Sequence, residues 1–141
     1  NIFIKKCNSK IGFPSILKKG KKICVFGTGN ILVNIIKALD IVKKKISPQV
    51  VNIHTIKPIN EKKILLFLRK FKKIIIVEEH LNEGGLGSII MKIAAKYKTN
   101  NTFKNLNLGN KFLTGAGELN NIRKKLKLDA NSIAKEILKF N

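Results

Sequence analysis

Acidic residues are scarce in this chain, tryptophan is absent, and no apolar stretch is long, and each shortage excludes a class of protein. Only eight residues are Asp or Glu, against 29 Lys and Arg among 141. The apolar runs fall well short of the roughly 20 residues that span a bilayer. The opening segment, residues 1–6, has no signal-peptide core. The length of 141 residues predicts a single domain. The lack of a spanning or signal segment places it outside the membrane, in the cytoplasm or an organelle stroma or matrix. An opening without Met predicts either a cut edge or N-terminal processing.

Cysteine is also rare. The chain has two cysteines, Cys7 and Cys24, which lie far apart, and Cys24 is inside an apolar, strand-like run. This pattern matches neither a disulfide framework nor the paired spacing of a zinc knuckle. A reducing compartment is therefore favoured.

The formal net charge of +21 comes almost wholly from lysine, since Arg69 and Arg123 are the only arginines. Lys-Lys pairs recur along the whole chain, whereas a nucleic-acid surface concentrates charge and interleaves arginine or aromatic residues. We interpret the charge as a composition bias and predict no nucleic-acid partner. The alternative is a non-catalytic basic module for acidic partners, which salt-dependent DNA binding would support.

Apolar residues alternate between strand and helix periodicity, which predicts parallel strands joined by helical crossovers. The predicted fold class is α/β, a three-layer α/β/α sandwich around a mostly parallel or mixed sheet of about five strands. Residues 1–20 are punctuated by Gly12, Pro14 and Gly20 and are assigned to a linker or arm. Residues 21–141 are assigned to the domain. The predicted elements are a strand-like stretch at 2–4, strands at 23–26, 49–53, 73–77 and 102–108, and helices at 31–44, 61–71, 85–97, 118–125 and 129–140. Asn60 is placed to cap the helix at 61–71.

One segment concentrates polar and glycine residues after a buried strand. The run Ile74–Val77 ends in Glu78-Glu79-His80 and leads into Gly84-Gly85-Leu86-Gly87-Ser88. Strand ends display functional groups in open α/β sheets, and neighbouring strand residues point to opposite faces, so only one of the two glutamates faces any given pocket. The glycines fit either an anion-binding nest or close packing of the helix against a neighbouring domain, and the packing is favoured.

Two other patterns have simpler explanations than a binding site. Gly27-Thr28-Gly29 follows a strand like a dinucleotide turn, but Leu32 stands where the third glycine belongs and no acid closes the next strand. A tight turn explains it better. His54 and His80 both follow strands, yet no third convergent ligand for zinc is identifiable. We therefore assign no catalytic, cofactor-binding or metal-binding residue.

Together these segments resemble the C-terminal domain of transketolase-like thiamine-diphosphate enzymes, and are most similar to small, split-type transketolase subunits. The resemblance rests on residues 21–29, on His54-Thr55-Ile56-Lys57-Pro58-Ile59-Asn60, and above all on the segment from Val77 to Ser88. Residues 1–5 resemble the end of a preceding pyrimidine-binding domain. Asn60 stands where the family has Asp, and the segment 109–112 is shorter and lacks the usual Asp.

The resemblance implies a C-terminal domain that supports the domain and dimer interfaces of an assembly transferring two-carbon ketol units between sugar phosphates. Thiamine diphosphate and Mg²⁺ would be bound by the N-terminal diphosphate-binding and pyrimidine-binding domains, in a homodimer, and this chain alone would be inactive. Glu79, His80, Gly84, Gly85 and Gly87 would form the interface with the pyrimidine-binding domain. The alternatives are 1-deoxyxylulose-5-phosphate synthase and the beta subunit of a 2-oxoacid dehydrogenase, in which His80 and Leu86 tend to differ.

Overall fold

The computed structural model describes residues 10–109 and 119–141, which fold around a five-stranded sheet flanked by helices. The strands are β1 (Ser15–Lys18), β2 (Ile23–Gly27), β3 (Gln49–Asn52), β4 (Lys73–Val77) and β5 (Thr102–Leu106). The helices are α1 (Leu32–Val42), α2 (Glu61–Lys70), α3 (Leu86–Lys96), α4 (Leu119–Lys125) and α5 (Ala130–Phe140), and a 3₁₀ turn, Gly29–Ile31, precedes α1.

The sheet has the order β1-β3-β2-β4-β5, and every neighbouring pair is parallel except β1 with β3. Successive residues of β4 alternate between two cores. Ile75 and Val77 pack with α1 and α5, whereas Ile74 and Ile76 pack with α2 and α3. Both faces of the central strands are therefore covered, which explains their continuous apolar sequence. The predicted three-layer α/β/α sandwich with a mixed sheet is confirmed.

Strand β1 lies within the segment that the sequence pattern assigns to a linker or arm. It pairs antiparallel with β3 and has a register irregularity between Ile16 and Lys18. Its side chains alternate between half-buried and exposed, and only Leu17 reaches the core beside α1. A four-residue edge strand with one inward apolar side chain is too short to show a recognisable alternating pattern in the sequence between Pro14 and Gly20. Residues 15–18 therefore belong to the sheet.

The remaining predicted boundaries agree with the structure to within a few residues. The predicted strand-like stretch at 2–4, Cys7, Glu118 and most of segment 109–112 lie outside the described residues. Cys24 is a buried free thiol, and burial raises its pKa far above the ordinary value while nearby Lys70 lowers it slightly. Within the described ranges no helix is both long and apolar enough to cross a bilayer.

Side-chain caps begin two of the helices. As predicted, Asn60 caps α2: its Oδ1 accepts a hydrogen bond from the Lys63 backbone N–H at 3.0 Å. Asp129 caps α5 by accepting from two backbone N–H groups at 3.1 Å and from the Ser132 hydroxyl at 2.6 Å. Burial alone would raise the pKa of Asp129, but the Ser132 hydroxyl and backbone hydrogen bonds outweigh it and leave the pKa below its ordinary value.

Replacing this cap is expected to make the fold less stable in a pH-dependent way. Asp129→Ala should lower the free energy of unfolding by about 1 kcal/mol at pH 7. Because the folded-state pKa is depressed, the carboxylate's contribution is present above the unfolded value of about 3.9 and is lost as pH falls through the folded pKa. Urea unfolding from pH 7 to pH 2 measures this. Asp129→Asn, which keeps a capping oxygen, should lose less at pH 7, and a difference between wild type and Asp129→Ala that stays constant with pH would contradict the charge argument.

Candidate functional site

The carboxyl ends of the parallel strands form one edge of the sheet, here called the carboxyl edge and consisting of residues 27–29, His54 and residues 78–87. The segment after β5 runs beside it. The Glu78 N–H donates to the Leu106 carbonyl and the Leu108 N–H donates to the His80 carbonyl, both at 3.0 Å. Backbone pairing therefore continues past the end of β4 and holds residues 78–80 in a fixed position.

Glu78 is the buried carboxylate of this edge. It continues the alternation of Ile74 and Ile76 and so points to the side of α3, with 1% of the residue exposed. Its Oε2 accepts from the Leu86 N–H at 2.6 Å, and its Oε1 accepts from the Gly87 N–H at 2.9 Å. A helix N-terminus has unpaired N–H groups and a positive dipole end, which stabilise an anion. The chain therefore supplies the anion for the start of α3 itself.

The glycines at this helix start make room for Glu78. A Cβ on Gly85 would lie 2.2 Å from Glu78 Oε2. A Cβ on Gly87 would lie 2.2 Å from Asn105 Nδ2 and 2.9 Å from Glu78 Oε1. Asn105 also donates to Oε1 over a long 3.4 Å. Gly85 and Gly87 are buried in this contact, so close packing within the domain explains both of them.

Glu79 points the opposite way and binds Arg123 of α4. The guanidinium donates through Nε to Oε1 at 2.6 Å and through Nη2 to Oε2 at 2.7 Å. The Arg123 side chain is 8% exposed and that of Glu79 is 30% exposed. The hydrogen bonds raise the pKa of Arg123, against the opposing effect of its burial. This two-bond, partly buried pair joins the end of β4 to the tail helices, because a guanidinium fork matches a carboxylate.

His80 and Gly84 lie on the surface. Both residues are exposed, and a Cβ on Gly84 would lie 3.9 Å from His80 Cε1. His80 Nδ1 donates to the Leu81 carbonyl at 3.3 Å. Gly84 has φ +76, a conformation that favours glycine. The exposed imidazole therefore lies next to two residues, Glu78 and Glu79, whose side chains are held by hydrogen bonds.

The five residues predicted for the interface fall into three groups. Gly85 and Gly87 are buried against Glu78, Glu79 is engaged with α4, and His80 with Gly84 is left at the surface. The contacts explain the first two groups within the domain. The interface itself stays a prediction, and His80, Gly84 and the exposed part of Glu79 are what a neighbouring domain can reach directly.

The other candidates at this edge have structural explanations. A Cβ on Gly27 would lie 2.4 Å from Ile35 Cδ1, so this glycine allows α1 to pack closely on β2. His54 Nδ1 lies 2.9 Å from the Thr55 hydroxyl. In the part of the chain that the structure describes, no three His, Cys, Asp or Glu side chains come together as metal ligands.

Sequence reasoning missed the roles of Glu78, Asn105 and Arg123. The sequence contains a signal for Glu78 and another for Arg123. Glu78 shares the phase of Ile74 and Ile76, which places it on the face that α3 covers. Arg123 is one of two arginines in a lysine-rich chain, and arginine is the residue suited to a two-bond carboxylate contact. Nothing local marked Asn105, whose role depends on the pairing of β5 with β4.

Comparison with known proteins identifies the family. The model of the transketolase C-terminal domain matches residues 14–133. The chain is 33% identical over 135 residues to a 1-deoxy-D-xylulose-5-phosphate synthase of Caldanaerobacter subterraneus, covering 95% of this chain and 22% of the synthase. It is 30% identical over 131 residues to one of the subunits of the apulose-4-phosphate transketolase of Actinobacillus succinogenes, covering 92% of this chain and 42% of that one. The chain thus spans less than half the length of these relatives.

Solved structures show the same fold. A split-gene transketolase solved as an inactive beta4 tetramer superposes with a TM-score of 0.83 at 20% identity, covering 99% of this chain and 46% of that one. A transketolase variant from Pichia stipitis gives 0.65 at 18% identity, covering 92% and 18%. The family match begins at Pro14, so it includes the edge strand β1. This chain belongs to the transketolase C-terminal domain family.

Proposed function

We propose that this chain is the C-terminal domain or subunit of a thiamine-diphosphate-dependent transketolase that transfers two-carbon ketol units between sugar phosphates. The observation that carries the proposal is the family match over residues 14–133. The chain matches only 42% of the length of a transketolase subunit, which supports the presence of further domains that supply the rest of the assembly. Those partners are the N-terminal diphosphate-binding and pyrimidine-binding domains, in a homodimeric enzyme.

The described residues do not fit thiamine diphosphate or its metal ion. The glycine-rich helix start is the place where a diphosphate would bind most readily, but Glu78 already accepts from the Leu86 and Gly87 N–H groups. A Glu78 carboxylate at that point would also repel a diphosphate. No set of three metal-ligating side chains occurs in residues 10–109 and 119–141. We therefore assign the cofactor to the partner domains and no chemical step to this chain.

The contribution of this chain is a rigid docking surface. Glu78 fixes the start of α3, Glu79 fixes α4, and between them His80 and Gly84 are exposed. Interface energy is concentrated where side chains are already positioned, since less conformational freedom is lost on binding. In this proposal the carboxyl edge contacts the pyrimidine-binding domain, and the interface holds the two parts of the enzyme together.

Reconstitution tests the proposed function. The 141-residue chain and its partner domains are assayed separately and mixed, with thiamine diphosphate and Mg²⁺, for ketol transfer from a ketose phosphate to an aldose phosphate. The expected result is no transfer by the 141-residue chain and transfer by the mixture. Transfer by this chain alone, or no transfer by a mixture that forms a stable complex, would contradict it.

A second reaction is favoured by a specific observation, the 33% identity to a 1-deoxy-D-xylulose-5-phosphate synthase. The same mixtures are therefore also assayed for 1-deoxyxylulose 5-phosphate formation. Formation of that product without ketol transfer between sugar phosphates would assign the synthase reaction to the assembly. The docking role of this chain is the same in both cases.

A further inference from the structure

The opposite edge of the sheet contains a cavity that the proposed function does not use. Strands β2 and β3 begin there, β1 ends there, and α2 ends beside it. A cavity of about 550 Å³ is lined mainly by Lys19, Lys21, Lys22, Gln49, Lys70 and Phe71. We call it the amino-edge cavity. Its size lies within the range of small-molecule sites, and it is at the far end of the strands from His80.

The charge of this cavity has one sign. Four lysines line it and no acidic residue does. The ammonium of the exposed Lys70 lies 5.1 Å from the centre of the Phe71 ring, a weak cation–π contact. Two of the carbonyls at the end of α2, which would repel an anion, are paired with Asn101. Its Nδ2 donates to the Leu68 carbonyl at 2.8 Å and to the Phe71 carbonyl at 2.7 Å. The cavity therefore favours an anion.

The backbone that presents two of these lysines is rigid. The Lys21 N–H donates to the Ser47 carbonyl and the Ile23 N–H donates to the Lys21 carbonyl, both at 2.8 Å. Lys22 is the central residue of that three-residue turn and has φ +65. A non-glycine residue in this conformation is uncommon, and such strain often occurs at ligand-binding turns. The lysines are thus presented by a fixed loop rather than by a flexible arm.

Gln49 supplies an independent indication of a ligand. The residue is 2% exposed and lines the cavity, and its Nε2 has no hydrogen-bond partner among the described residues. A buried amide nitrogen without an acceptor is unfavourable, and such groups are rare in folded proteins. The nitrogen is itself enclosed by protein atoms, so an oxygen of an anion would provide the missing acceptor once the Gln49 side chain turns towards the cavity. Lysine ammonium groups together with an amide donor are typical of phosphate sites.

From this arrangement we propose that the amino-edge cavity binds a phosphate-bearing anion through its phosphate oxygens. The lysines supply the charge, and Gln49 supplies a directional donor when its side chain turns towards the ligand. A second cavity of about 580 Å³ adjoins the same loop and adds Lys45 and Ser47 to residues 19–22.

The test follows individual residues of the ¹⁵N-labelled 141-residue chain by NMR during titration with inorganic pyrophosphate and, separately, with ribose 5-phosphate, at constant ionic strength. The backbone signals of Lys21 and Lys22 and the side-chain amide of Gln49 are expected to shift and saturate together. Saturation by pyrophosphate assigns the site to free phosphates, and saturation by ribose 5-phosphate alone assigns it to phosphate esters. Unchanged signals with both ligands would overturn the proposal.

Matched variants separate this cavity from the general positive charge. Lys21→Gln with Lys70→Gln is expected to raise the dissociation constant about tenfold or more. The control, Lys37→Gln with Lys62→Gln, removes the same charge from helix positions outside the cavity and should change it by less than about twofold. Equal losses in both pairs would overturn the proposal, as would saturable binding of a DNA oligonucleotide but of neither small phosphate.

Two further variants guard against misfolding. Lys22→Gly removes an ammonium group but suits the positive φ, so it is expected to weaken binding without lowering the melting temperature. Gln49→Leu replaces the unpaired amide with an apolar group of similar size and is expected to fold and to bind more weakly. Wild-type affinity in both folded variants would show that the ligand binds elsewhere.

Discussion

Glu78→Ala is expected to lower the free energy of unfolding by about 3 kcal/mol, because the start of α3 loses the only acceptor that the described residues provide for two buried N–H groups. Leu86 and Gly87 are buried, so water replaces the carboxylate poorly. The measurement is urea unfolding of the 141-residue chain. Glu83→Ala, which removes an exposed carboxylate from the same loop, should change the value by less than about 0.5 kcal/mol.

A double-mutant cycle with Gly85 tests whether the carboxylate is the cause. Gly85→Ala places a methyl group where Glu78 Oε2 lies and should cost about 2 kcal/mol. In the Glu78→Ala background the same change should cost much less, because the atom it meets is gone. Gly84→Ala, at φ +76 with room for a methyl group beside His80, should cost about 1 kcal/mol in both backgrounds. Equal costs of Gly85→Ala in the two backgrounds would contradict the account.

Glu79→Ala is expected to destabilise the protein by about 2 kcal/mol, because the buried guanidinium of Arg123 is left without its partner. The value is set below that of a fully buried pair because Glu79 is 30% exposed. Hydrogen exchange should accelerate first in α4, which the pair holds to the end of β4. Unfolding experiments give the total effect, and exchange measured by mass spectrometry gives its location.

Two comparisons control this second prediction. Arg123→Met keeps an apolar side chain in the buried position and leaves Glu79 able to reach water, so it should cost less than Glu79→Ala. Asp40→Ala breaks an ion pair with Lys43 in which both side chains are more than half exposed, and should cost less than about 0.5 kcal/mol. If Glu79→Ala costs no more than Asp40→Ala, the pair does not hold α4.

The alternating layers of the sheet could be predicted because they depend on local patterns. Ile74–Val77 has the sequence of a strand covered on both faces, and the structure buries it between two cores. Asn60 has the position of a cap and is one. Strand β1 was missed because an edge strand with one inward apolar side chain has almost no periodic signal.

The contacts of the carboxyl edge were harder to predict because they join distant parts of the chain. The alternation of Glu78 and Glu79 was predictable, but their partners were not. Arg123 lies on a helix with no local sign of what it faces, and Asn105 reaches Glu78 only through strand pairing. The lysine pattern in the sequence indicates dispersed charge. The folded chain nevertheless brings Lys70 beside the loop Lys19–Lys22 around one cavity, which the sequence alone does not show.

The proposed docking of this chain through its carboxyl edge is tested by the affinity of the 141-residue chain for its partner domains. Isothermal titration calorimetry compares wild type with His80→Ala and with Lys21→Gln/Lys70→Gln, which alters the opposite edge. We expect a loss of affinity of about tenfold or more for His80→Ala, the size typical of a central interface residue, and near-wild-type affinity for the lysine pair. Unchanged affinity in His80→Ala, together with a large loss in the lysine pair, would place the docking surface at the other end of the sheet.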